Sequence, residues 1–417
     1  SAVKFVHEQK PLTLSIQEKE KLAKQINEMN KILKAIGKDE LKTDFIDVKS
    51  VTLIGNYYYV NEQFDESIKM YDLVLKDFPD DTRALNNKGS ALRGEKNREE
   101  AAKLWRRAIE LDPNYTDPIV NLGGVLCELG NPKEALQILD PVYKKEIDNA
   151  DMALLLNLGL AHSKIGNFEI AHEFYKKAEN KSPREIQILN NIMILYQSEN
   201  NFEKAIEYAD KILKLESRNT NALSTKGSCY IEMSKFILGL DYLNQSFKQD
   251  PNELVTLINL ALCYRRMHEF GIIKRWYADW VELYARKALD IKEYDFMALD
   301  HLGWVMNRCE RYNEALELLE KALKFKPEQT GILLDKVDLL LRTDKSNEAL
   351  IIIDHIIELD KPMLDEEILR IKYNLLSDMK KPLDAELFIK DLENKLSPDQ
   401  IKHVKKRGRV FTKKPKI

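Results

Sequence analysis

Cysteine is scarce. The chain has four in 417 residues, Cys127, Cys229, Cys263 and Cys309, with no C-x-x-C pair and no nearby pair of histidines. That spacing argues against a zinc site or a disulfide framework, and predicts reduced, packed thiols in a cytoplasmic protein. Long hydrophobic runs are also missing. Stretches such as MALLLNLGLA at 152–161 fall far short of the ~20 residues that span a bilayer, so no membrane span is expected. No charged-then-apolar leader opens the sequence, and no secretory signal is read. Nor does one sign of charge dominate. Charged residues make up 32% of the chain, yet its net charge is −3, which fits neither a disordered chain nor a general polyanion binder.

Catalytic patterns are lacking too. There is no G-x-x-x-x-G-K loop, no G-x-G-x-x-G between strand and helix, no convincing strand and no H-E-x-x-H. His162 and His301 fall within helical stretches, where packing or groove lining outweighs catalysis. The chain therefore reads as non-catalytic, with no cofactor and no metal expected.

What is present is a period. NLGGVLCELGNPKEAL at 121–136 looks like an amphipathic helix spoiled at its centre by Gly123 and Gly124, each costing about 1 kcal/mol against Ala. It recurs as NLGLAHSKIGNFEIA at 157 and more loosely as HLGWVMNRCERYNEAL at 301. Small residues at 67, 101, 135, 171, 205, 239, 315, 349 and 385 stand 34 or 36 apart, with a single gap of 76. Prolines at 79, 113, 183, 251 and 327 keep the same phase. The chain is an array of 34-residue units. Each reads as two helices, the first in 116–151 carrying Ile119, Leu122, Gly123 and Leu126 on one face and stopping at Gly130. Gly123 and Ala135 mark a close approach of the two backbones. SPRE at 182–185 and DPNE at 250–253 read as helix starts, with proline in the first helical position.

A 34-residue helix–turn–helix with L-G, a small residue and a terminal proline resembles the tetratricopeptide repeat family. The resemblance implies an all-α fold, an α-solenoid of about ten units coiled as a right-handed superhelix. An N-terminal segment with a capping helix is expected at 1–47 and nine units at 48–363, of which 254–295 is enlarged. A degenerate tenth pair follows at 364–396 and a basic tail at 397–417. Met193, Ala261, Val337 and Tyr373 replace the family glycine, and Ser217 replaces one proline.

The flanks have their own character. Residues 15–36 open with the capping box SIQE and carry Leu22, Ile26, Met29, Leu33 and Ile36 on one seam, that of a capping helix or of a short dimer zipper. The tail holds eight Lys or Arg against Asp399. It suits weak polyanion contact, a localisation signal or a membrane-surface patch.

Family first helices line a concave surface. In the sixth place stand Asn87, Asn121, Asn157, Asn191, Thr225, Asn259 and His301, and the asparagines suit donation to and acceptance from an extended peptide backbone. Val120, Leu156, Leu160, Ile194, Ile258, Leu262 and Trp304 occupy places that face a groove or else touch the next unit. Arg265, Arg266 and Arg308 are placed to meet acidic groups of a ligand. The expected role is a scaffold or adaptor that binds an extended or helical segment of another protein. Nucleic-acid association through the tail, or a non-catalytic place in an enzyme complex, are the alternatives, and the oligomeric state is left open. In the enlarged unit a lengthened second helix is expected. Its stripe of Trp276, Tyr277, Trp280 and Tyr284 either packs on neighbours or forms a second contact surface.

Overall fold

A computed structural model of the protein describes residues 11–35, 41, 46–145, 149–273, 277–359, 365–379, 381–393 and 395–406. Among them every regular element is an α-helix. The chain divides into two compact halves, Ser1–Asn200 and Asn201–Ile417.

The N-terminal half opens with α1 (Ile16–Ala35). Hairpins follow: α2 (Val48–Val60) with α3 (Phe64–Asp77), α4 (Thr82–Gly94) with α5 (Arg98–Leu111), α6 (Thr116–Glu128) with α7 (Pro132–Lys145), and α8 (Met152–Lys164) with α9 (Phe168–Lys181). It closes on α10 (Ile186–Ser198). The C-terminal half starts at α11 (Phe202–Leu215) and pairs α12 (Thr220–Glu232) with α13 (Phe236–Gln249), α14 (Leu254–Glu269) with α15 (Tyr277–Ile291), and α16 (Phe296–Arg308) with α17 (Tyr312–Phe325). Next come α18 (Thr330–Arg342) with α19 (Ser346–Leu359), α20 (Glu366–Asp378) with α21 (Pro382–Leu392), and the short α22 (Pro398–Val404). The expected all-α solenoid is formed.

The glycines at the eighth place of the first helices share one arrangement. A Cβ on Gly123 would stand 2.6 Å from Leu139, one on Gly89 2.8 Å from Trp105, and one on Gly303 2.9 Å from Leu319. In each case the large residue lies 16 positions later, on the second helix. The room is thus given chiefly to a bulky side chain, not to the small Ala135. Among the described residues the turns that follow first helices place one residue in the left-handed region: Gly130 at φ +82°, Gly166 at +83° and Gly271 at +70°, and elsewhere Glu62, Lys96, Asn200, Ser234, Glu310 and Asp344.

Three local expectations are corrected. The SPRE and DPNE prolines lie in turns, because α10 and α14 begin only after Glu185 and Glu253, and Glu253 caps Val255 and Thr256. The enlarged repeat spends part of its surplus on the first helix. α14 has 16 residues against 13 in α12, while α15, described from Tyr277, has 15 against 14 in α13; residues 274–276 between them lie outside the described residues. The tail is not free along its whole length. Ser397 and Gln400 form a reciprocal capping box at the start of α22, and Ile401 and Val404 are buried against Leu369, Ile389 and Leu392. Residues 407–417, with most of the basic charge, lie outside the described residues.

At the other end, Ser15 and Glu18 cap α1 reciprocally. Leu22, Ile26 and Met29 pack with Val51 and Ile54 of α2. The side chain of Leu33, and all of Ile36, lie outside the described residues.

Candidate functional site

In the N-terminal half the first helices α2, α4, α6, α8 and α10 touch in succession. Their ninth places hold Asn56, Ser90, Gly124, Leu160 and Ile194, so the row runs from amide, through small residues, to aliphatic. Ile194 is 51% exposed and Leu160 half-buried.

Beside this row the asparagines bond to one another. The Tyr71 hydroxyl donates to Asn56 Oδ1 at 2.7 Å, and Asn87 Nδ2 donates to the same oxygen at 3.1 Å. Asn86 Nδ2 donates to Asn87 Oδ1 at 3.2 Å, and Asn121 Nδ2 donates to Asn86 Oδ1 at 3.0 Å. Asn157 Nδ2 donates to the Val120 carbonyl at 2.8 Å. One of the two amide N–H groups at each of 87, 121 and 157 is thus used inside the fold, and at 121 and 157 the carboxamide oxygen is left as an acceptor. Asn191 is half-buried on α10. Asn86, Asn56 and Tyr71 were missed by the sequence reading, although the doublet Asn86–Asn87 was a visible signal.

Several expected groove residues are corrected. Val120, Leu156 and Ile258 are buried, as are Asn259 and His301, and so are closed to a ligand. Trp304 is 2% exposed, with the Arg265 and Arg308 guanidinium carbons 4.9 and 5.4 Å from its ring centre. Leu262 is half-buried and Arg266 exposed. Arg265 does not reach outward for a ligand. Its guanidinium meets Glu269 at 3.0 Å, Asp300 at 3.1 Å and Asp335 at 2.7 Å. Arg308 faces Asp338 at 3.5 Å. Burial pushes the Asp300 and Asp335 carboxyls upward, Asp335 the further, while Arg265 opposes the shift. Burial, with Arg265 and Arg266 nearby, brings the His301 imidazole down to about 3.

The aromatic stripe of α15 mostly packs inward. Tyr277 and Tyr284 are buried, and Tyr277 stacks on His268 with ring centres 3.6 Å apart. Trp280 is 41% exposed and stacks on Tyr264 at 5.6 Å. Trp276 lies outside the described residues. No helix among the described residues is long and apolar enough to cross a membrane.

Comparison with known proteins bears on the repeat and the fold. Tetratricopeptide repeat signatures match residues 52–116, 92–158 and 310–370, and residues 126–239 match the N-terminal tetratricopeptide repeat region of Psidin. The peroxisomal targeting signal receptor of Candida albicans is 30% identical over 105 residues, 25% of this chain and 18% of that receptor. The small glutamine-rich tetratricopeptide repeat-containing protein 2 of Saccharomyces cerevisiae is 29% identical over 111 residues, 27% of this chain and 32% of that protein. The chain thus spans less than a third of the length of either relative. The crystal structure of the APC/C hetero-tetramer Cut9–Hcn1 shares the fold, with a TM-score of 0.51 at 13% identity over 75% of this chain and 74% of that one. The matches together cover more than half of the sequence, and the chain belongs to the tetratricopeptide repeat family.

Proposed function

We propose that the chain is a non-catalytic interaction scaffold that holds an extended segment of another protein against α4, α6, α8 and α10. The observation that carries this reading is the row from Ser90 to the part-exposed Leu160 and the exposed Ile194, flanked by the amide oxygens of Asn121 and Asn157. The small side chain of Ser90 allows a partner backbone to approach closely, and amide oxygens accept its N–H groups. The exposed aliphatic end seats an apolar side chain. Membership of a repeat family whose relatives include a targeting-signal receptor supports a protein partner.

The test uses a peptide selected on the purified chain from a displayed random library. Methylating its backbone nitrogens one at a time should weaken binding about tenfold at one or two positions, the worth of a hydrogen bond. A peptide indifferent to methylation at every position would contradict backbone recognition by these amides.

A further inference from the structure

The charged cluster of the C-terminal half suggests a second site, independent of the reading above. We propose that Asp300, Asp335 and the face of Trp304 form a guanidinium site, which Arg265 fills in the free chain and an arginine of a partner segment takes over on binding. The cradle draws on two helices beyond that of its occupant. Arg265 Nη1 meets Asp300 Oδ2 of α16 at 3.1 Å, and its Nη2 meets Asp335 Oδ2 of α18 at 2.7 Å. The guanidinium carbon lies 4.9 Å from the Trp304 ring centre. Two carboxylates and an aromatic face suit the flat, five-donor fork of arginine, whereas a lysine ammonium fits them as a point charge only.

Three observations make the occupant exchangeable and the cluster more than a brace. First, a buried ion cluster is a weak source of stability compared with apolar packing, so its presence on a first-helix face calls for another role. Second, hydrogen-bonding capacity is unspent. Asp300 Oδ1 has no partner among the described residues, and neither ring nitrogen of His301 has one. His301 is 4% exposed, and its Nδ1 lies 3.7 Å from Asp300 Oδ2. Third, Arg265 has another seat. Glu269, one turn along the same helix and partly exposed, already meets its Nε at 3.0 Å. Arg265 can therefore leave the acidic pair and keep an ion pair. Burial, and to a lesser degree the neighbouring Asp300, push the Asp335 carboxyl upward, and the Arg265 guanidinium opposes them.

The experiment titrates the full chain with acetyl-Gly-Arg-Gly-amide and with its lysine and citrulline counterparts by calorimetry. The parent should prefer the arginine peptide, and Asp335→Asn should abolish the preference. Arg265→Ala removes the competing side chain and should tighten arginine binding about tenfold or more, because an occupied site lowers apparent affinity by its free fraction. If Arg265→Ala melts early, the arginine peptide at millimolar concentration should restore its melting temperature and the citrulline peptide should not. Equal binding of all three peptides by the parent would overturn the exchange. So would an arginine preference that survives Asp335→Asn, or an Arg265→Ala variant that the arginine peptide neither binds nor restores.

Discussion

Asn157 and Val120 are joined from one first helix to the next, the side-chain amide donating to the backbone carbonyl at 2.8 Å. Gly124 makes the bond possible, since a Cβ there would stand 3.0 Å from the Asn157 amide. The two glycines that interrupt α6 therefore serve different neighbours. Gly123 admits Leu139 within its own repeat, and Gly124 admits Asn157 of the next.

That division predicts unequal costs. Gly123→Ala gains about 1 kcal/mol of helix propensity, but its Cβ falls 2.6 Å from Leu139, which is fully buried. Overpacking costs about 1–3 kcal/mol, so a lower melting temperature is expected. Gly124→Ala meets only an amide at 3.0 Å and should be close to neutral. Equal losses at both positions would show that the glycines serve one contact.

The period, the helix pairs and the recurring first-helix glycine were legible because packing repeats every 34 residues in the sequence itself. The burial of Leu156, Ile258, Asn259 and Trp304 was not. A residue in the fifth, sixth or ninth place of a first helix is covered or open according to the next helix, which one helix's pattern does not report. Arg265 was misread for the same reason. Its partners Asp300 and Asp335 lie 35 and 70 residues away, and no local spacing pairs them. The tail was read from its charge, and the two apolar residues that dock it, Ile401 and Val404, were outweighed by the lysines around them.

Removing residues 397–417 should lower the stability of the C-terminal half. Val404 is fully buried and Ile401 nearly so, and burying each such side chain is worth about 1.5–3 kcal/mol. Thermal melting of the shortened chain checks this. An unchanged melting temperature would return α22 to the status of a free tail.

His301 gives a pH dependence. Its imidazole is held neutral by burial, with the folded value down at about 3, whereas the unfolded chain protonates near 6.5. Between those values the unfolded state binds more protons. Stability is therefore lost as pH falls through that window, by roughly 1 kcal/mol per pH unit. His301→Leu should flatten this part of the profile. Parallel profiles for parent and variant between pH 6.5 and 4 would contradict it.

On α15, Tyr284→Ala should cost close to the 3–5 kcal/mol of a buried aromatic, and Trp280→Ala clearly less, since Trp280 keeps 41% of its surface exposed. Denaturant melts of the two variants decide the order. The reverse order would mean that the stripe packs the other way round.

The most direct measurement is the affinity of a library-selected peptide for three proteins, read by fluorescence anisotropy: the parent, Ile194→Asp, and Ile237→Asp. Ile194 stands on the proposed binding row, whereas Ile237 is 73% exposed on α13 in the other half. A charge at 194 should weaken binding tenfold or more, and one at 237 should leave it unchanged, with both variants melting like the parent. Undiminished binding to Ile194→Asp would place the partner elsewhere on the array.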